Sequence, residues 1–178
     1  MADTIVARLY AEFRALVQML EAGGEPSLRN TAEDCFRKAL LLSAASYFET
    51  VVLNILINFT SQLSAGNEQL IEFVKRQALN RRYHTLFDWD SNSANKFLSL
   101  FGDTFRTTVE ARVKTDDGLA ESIRAFLEMG RERNRLVHQD FGNFALEKTT
   151  DEIFGLYEAG LRFVDALPGL LNSAAQDS

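Results

Sequence analysis

Residues 131–138 read RERNRLVH, and within this run Arg133-Asn134-x-x-x-His138 is the one place where three chemically capable side chains stand in a recognisable spacing. An imidazole titrates near neutrality and can take or give a proton, and a guanidinium keeps its charge and can stabilise an oxyanion. The chain has only two histidines, and His138 sits just ahead of Gly142, where a strongly periodic helical stretch stops. That makes His138 the leading candidate for chemistry.

Other chemistries find little support. The sequence has no G-x-x-x-x-G-K-[ST] phosphate loop, no G-x-G-x-x-G, no G-x-S-x-G elbow and no histidine or cysteine cluster at zinc spacing. It contains 25 Asp and Glu residues, but no pair of them stands out from a solvated face as a magnesium site. No metal and no cofactor is therefore expected.

On a helical wheel at about 100° per residue, Leu119, Ile123, Phe126, Gly130 and Val137 form one stripe with Asn134 on the same face, which predicts a packed, hydrogen-bonded Asn134. Arg133 falls on one edge of the stripe and His138 on the other. Arg131 shares the histidine's edge, so within one straight helix it is the nearer neighbour of His138. From the residues alone two roles stay open for His138: a proton-transfer group, or a helix-end histidine favoured by the dipole beside arginines on a solvated face.

The elements that must position these groups read as helices throughout. A first helix over 3–22, with Ile5, Leu9, Phe13, Leu16 and Leu20 on one buried face, ends at Gly23-Gly24-Glu25-Pro26. Asn30 with Glu33 reads as a capping box for a long central helix to about Ser64. Shorter helices are expected at 67–78, 94–100 and 103–114, and residues 80–93 form the least regular segment, with Trp89 as a loop anchor. Thr115-Asp116-Asp117 caps the helix carrying the RNxxxH run, expected over 117–140. A last helix starts at the Thr149-x-x-Glu152 box, presents Ile153, Leu156, Tyr157, Leu161 and Val164 inward, stops at Pro168-Gly169 and leaves a frayed tail over 172–178.

The expected fold class is all-α: an up-and-down helical bundle with a long central helix and additional short helices. With 178 residues, 46% of them hydrophobic, the chain suits one domain over 1–178 with its core at about 30–167. The run Ala39–Phe59 has the length of a membrane span, yet Glu49 lies at its centre and polar helical sequence continues on both sides, so a buried bundle helix is expected and no membrane partner. Glu49 then needs a cation or a solvated edge. A single cysteine, Cys35, and an N-terminus without an apolar core point to the cytoplasm.

The string RNRLVHQDF, between two helices, resembles the RNxxxH signature of the HEPN superfamily, all-helical domains of RNase toxins, abortive-infection proteins and related phage-defence systems. The segment RKALLLSAASYFETVV resembles that family's long helix, which often carries an acidic residue near the position of Glu49. The resemblance implies a metal-independent endoribonuclease, a hydrolase acting on single-stranded RNA as a homodimer, with its active site where two motif helices meet. It implies Arg133, Asn134 and His138 as catalytic residues, Glu49 and Arg131 in support, and Arg131 and Arg135 against RNA. It also implies a toxin–antitoxin or phage-defence setting, with an antitoxin or other defence protein as partner.

The residue types suit such a reaction. RNA carries its own nucleophile, the 2′-hydroxyl, so a histidine can remove its proton while a fixed guanidinium stabilises the phosphorane. Dimerisation would add a second histidine as acid for the 5′-oxygen and let Arg133 serve across the interface. Two features depart from the pattern. Some relatives controlled by nucleotidyltransferase antitoxins carry a tyrosine two residues after the histidine, where this chain has Asp140, and the net charge of −6 disfavours broad electrostatic binding of long RNA. Local patches at Arg131, Arg133 and Arg135, and at Lys75, Arg76, Arg81 and Arg82, would have to serve. A second reading is a non-catalytic HEPN-like module that binds a partner protein or nucleotide; the intact motif favours the enzyme.

Overall fold

A computed structural model describes residues 4–139 and 141–175, and the described residues build an all-α fold. The elements are α1 (Ile5–Ala22), α2 (Pro26–Leu63), α3 (Glu68–Val74) continuing into a π-helical turn (Lys75–Leu79), α4 (Tyr83–Leu86), α5 (Asn95–Ser99), α6 (Asp103–Thr115), α7 (Asp117–Val137) and α8 (Thr150–Ala175). Helix α2 is the central post, packed against α1, α7 and α8, and the most extensive helix pairing is that of α7 with α8.

Local chemistry sets most of the helix ends. The Thr4 hydroxyl accepts from Ala7 N, Asp116 accepts from Leu119 N at 2.9 Å, and Thr149 and Glu152 form a reciprocal capping box at 2.7 and 3.2 Å. Three expected limits are corrected. Helix α2 starts at Pro26, whose missing N–H suits the first helical position, so Asn30 lies inside the helix and Glu33 pairs with Arg29 at 3.0 Å instead of closing a capping box. Helix α8 runs through Pro168 to Ala175, because buried Leu167, Leu170 and Leu171 flank the proline and packing outweighs the lost hydrogen bond; Asn172 and Ser173 are therefore helical, and 176–178 lie outside the described residues. Helix α7 stops at Val137, short of residue 140.

Two buried faces are also rotated from expectation. On α1, Val6 and Phe13 are buried, while Ile5 and Leu16 are about half exposed. On α7, Met129 and Leu136 are buried and Val137 is exposed. In each case the apolar positions allow two overlapping stripes, and the neighbouring helices select one.

Helix α2 is long and apolar enough to cross a membrane by length and composition. In this fold its Leu40, Leu41, Ala44, Phe48, Val52 and Leu56 are buried in the bundle. Aromatic rings tie the bundle together: Phe48 of α2 meets Phe126 of α7 at 5.4 Å and Tyr157 of α8 at 5.4 Å, and Phe126 meets Phe163 at 5.2 Å. Gly160 lets α8 come this close, since a Cβ there would stand 3.1 Å from both Phe126 Cα and the Phe48 ring.

Candidate active site

Helix α7 brings its last turns to a narrow cleft shared with α2 and the segment around α4. Phe48, Phe126 and Met129, all buried, line the cleft together with the polar groups of Glu49, His84, Arg133 and Asn134. Its free volume of about 10 Å³ holds roughly one water molecule. Arg133, Asn134 and Glu49 are half-buried and His84 is exposed.

The segment that carries His84 is keyed onto α7 by Trp89. The indole lies directly against Gly130: a Cβ at Gly130 would sit 2.0 Å from Trp89 Cε3, so only glycine leaves room for the ring. Trp89 Nε1 donates to the His84 carbonyl at 2.9 Å. The tryptophan thus anchors the 80–93 segment, as expected, against Gly130, which lies about one helical turn before Arg133. Tyr83, next in the chain, is buried, and its phenol pKa is raised by burial and by the Glu49 carboxylate, with the Arg133 guanidinium acting in the opposite direction.

The three arginines of the motif run differ in what they hold. Arg133 Nη1 donates to the neutral Asn134 Oδ1 at 3.2 Å, so Asn134 is packed and hydrogen-bonded, and among the described residues the guanidinium meets no carboxylate. Arg135 is exposed and bonds both oxygens of the buried Glu132, at 3.0 and 3.2 Å, with its guanidinium 5.7 Å from the Phe144 ring. Arg131 is half-buried and makes no ion pair among the described residues. In the second basic patch, Lys75 and Arg76 both bond Glu72, at 3.1 and 3.4 Å, and lower its pKa.

His138 caps α7. Its N–H donates to the Asn134 carbonyl at 3.2 Å and its backbone leaves the helix at φ −96°, ψ 0°. The chain then turns, and the buried Lys38 of α2 holds the Phe141 carbonyl at 3.0 Å while pairing with Asp34 at 2.8 Å. His138 is exposed and does not line the cleft formed by this one chain. Arg133 and His138, five positions apart and about 140° around the helix, therefore face different directions.

The family profile described as RiboL-PSP-HEPN matches residues 7–173. The chain belongs to the RiboL-PSP-HEPN family. Neither a search of curated proteins nor one of solved structures found a match. The match spans all eight helices apart from the ends of α1 and α8, so this HEPN domain includes the central post, the motif helix and the cleft between them. Among the described residues no group of three His, Cys, Asp or Glu side chains lies together.

Sequence reasoning passed over two residues that the HEPN fold brings to this region. His84 stands in an irregular segment without a motif, and Lys38 reads as an ordinary helix-surface lysine. Only the aromatic density of Tyr83, Phe87 and Trp89 signalled that the 83–89 segment packs inward. Asp140, the position that bears on antitoxin control, lies outside the described residues.

Proposed function

We propose that this HEPN domain is a metal-independent endoribonuclease that cleaves single-stranded RNA as a homodimer in a toxin or defence setting. The observation that carries this reading is the state of Arg133. It is a half-buried guanidinium at a cleft, bonded among the described residues to a neutral amide and to no carboxylate, with His138 at the end of the same helix. Such a cation is available for a phosphorane oxygen. In this reading an imidazole takes the 2′-hydroxyl proton, O2′ attacks phosphorus, and the 5′-oxygen leaves with a proton.

Two features support the homodimer. The cleft of one chain has room for about one water, so a nucleotide must lie across its mouth, and Arg133 and His138 point apart along one helix. A second copy of α7 facing the first would bring the histidine of one chain to the arginine of the other. Glu49, on the opposite wall from Arg133, would orient that arginine, with Arg131 and Arg135 toward the RNA backbone.

The deciding experiment is cleavage of varied single-stranded RNAs in the presence of chelator. The expected product carries a 2′,3′-cyclic phosphate, and His138→Ala removes the activity while the helical signal stays unchanged. Sedimentation showing a concentration-independent monomer would sink the composite site. Wild-type protein that binds a partner or nucleotide but leaves every RNA intact would move the assignment to a non-catalytic binding module.

A further inference from the structure

Cleavage of RNA by its own hydroxyl needs two proton transfers, and the motif helix of one chain supplies one imidazole. The second histidine of this chain is already at the cleft. His84 shares it with Glu49, Arg133 and Asn134, whereas His138 sits beyond the helix end.

The placement of His84 is built rather than incidental. Trp89 bonds its carbonyl and presses against Gly130, one turn ahead of Arg133, so the backbone of residue 84 is tied to α7 through the indole. The structural bond uses the carbonyl, and the exposed ring, edge-on to Tyr83 at 5.6 Å, makes no side-chain hydrogen bond among the described residues. The chain reaches this position through Arg81 in the left-handed region, φ 59°, which an arginine adopts only when surrounding structure imposes it. A π-helical turn, Lys75–Leu79, precedes it.

Resting on the ribonuclease reading above, we propose that His84 is a catalytic residue, the second proton-transfer group beside Arg133, with His138 of the partner subunit supplying the other. One imidazole takes the 2′-hydroxyl proton as O2′ bonds to phosphorus. The P–O5′ bond then breaks as the other, in its imidazolium form, gives a proton to O5′. The products are a 2′,3′-cyclic phosphate and a free 5′-hydroxyl, and no co-reactant is consumed. Each site thus has an acid and a base bracketing the guanidinium that stabilises the phosphorane.

The test compares wild type with His84→Ala, His84→Gln and His138→Ala over a pH series. The ring is exposed and the structural bond belongs to the backbone, so both His84 variants should keep the wild-type helical signal and melting temperature. The expected result is a bell-shaped wild-type profile that loses one limb in each His84 variant, with a fall of about 10²–10⁴-fold in cleavage. A substrate with sulfur in place of the 5′-bridging oxygen, whose thiolate leaves without an acid, should restore whichever histidine variant lacks the acid. Independently of turnover, the ring resonances of His84 should shift when a 2′-deoxy oligonucleotide that cannot be cleaved is added. If the His84 variants cleave at the wild-type rate with an unchanged pH profile, or if those resonances do not move, the assignment of His84 is overturned and the ribonuclease reading stands. Wild type that cleaves no RNA overturns both.

Discussion

Two hollows in this molecule differ in a way that runs against their size. The larger, about 510 Å³, lies between α1, the start of α2 and the start of α8, and the cleft beside α7 offers about 10 Å³. The large one is rich in charge, but the charges are taken up. Arg14 pairs with Asp151 at 3.1 Å, Tyr10 donates to the same carboxylate at 2.7 Å, Arg29 holds Glu33 at 3.0 Å and lies 2.9 Å from Glu21 off the hydrogen-bond direction, and Arg37 holds Asp34 at 2.6 Å. In the small cleft, Glu49 and Arg133 form no ion pair among the described residues, and three further nitrogen-bearing side chains, His84, Trp89 and Asn134, line it with them. Paired surface charges hold helices in register at modest gain, and unpaired ones in a cleft keep their capacity for a substrate. Room alone does not mark the site.

The strongest way to break this contrast is to remove the free arginine. Arg133→Ala should weaken transition-state stabilisation by about 3 kcal/mol, roughly a hundredfold in kcat/KM. Arg131→Ala should lose much less, and Arg135→Ala less again, because Glu132 already occupies that guanidinium. Equal losses at all three positions, measured on one RNA substrate, would mean that charge density rather than the placement of Arg133 matters.

A second change sharpens the comparison through packing. Gly130→Ala puts a methyl group where the Trp89 ring lies, and overpacking of this kind is expected to destabilise by about 1–3 kcal/mol in urea unfolding. Cleavage should fall by more than the loss of folded protein explains, because Trp89 carries the segment with His84. Next in size is Lys38→Met, which keeps the apolar stem but removes the bonds to Asp34 and the Phe141 carbonyl; about 1–2 kcal/mol is expected. Faster hydrogen exchange over 138–144 would be its signature.

The smallest effects belong to the large cavity. Arg14→Ala or Asp151→Asn should change stability by no more than about 1 kcal/mol and leave cleavage unaltered. Its pH dependence has a definite sign. The Tyr10 hydroxyl and then Arg14 hold the Asp151 carboxyl below its ordinary value, and Lys38 and then Arg37 do so for Asp34. A carboxyl depressed on folding contributes its stability above the unfolded value, near 4, and loses it as pH falls through the lower folded value. Acid titration of unfolding should show this loss below about pH 4, and Asp151→Asn should flatten part of it.

Much of the architecture could be read locally. Thr149 and Glu152 announce their helix, Asp116 caps the motif helix, and the RNxxxH run marks Arg133, Asn134 and His138 as candidates. Failures came where two local readings competed. Asn30 and Glu33 look like a cap, yet Pro26 and the Arg29–Glu33 pair prevail; Pro168 looks like a stop, yet the leucines around it hold the helix together. The Glu49 carboxylate, expected to need a cation or a solvated edge, lies in a cleft with Arg133 and Asn134 and makes no ion pair among the described residues.

What the sequence determined by itself is what repeats along one element: helical period, caps, and a motif whose members lie within six residues. Which stripe of α1 or α7 turns inward was decided only by the tertiary structure, because adjacent apolar stripes differ by one neighbour's shape and not by their own composition. The meeting of Glu49, His84, Trp89, Gly130 and Arg133 was decided there too. Those residues come from three separate stretches of chain, and they share a cleft because the indole fits a missing Cβ and because the rings of Phe48 and Phe126 set the distance between two helices, terms that exist only once the bundle has packed.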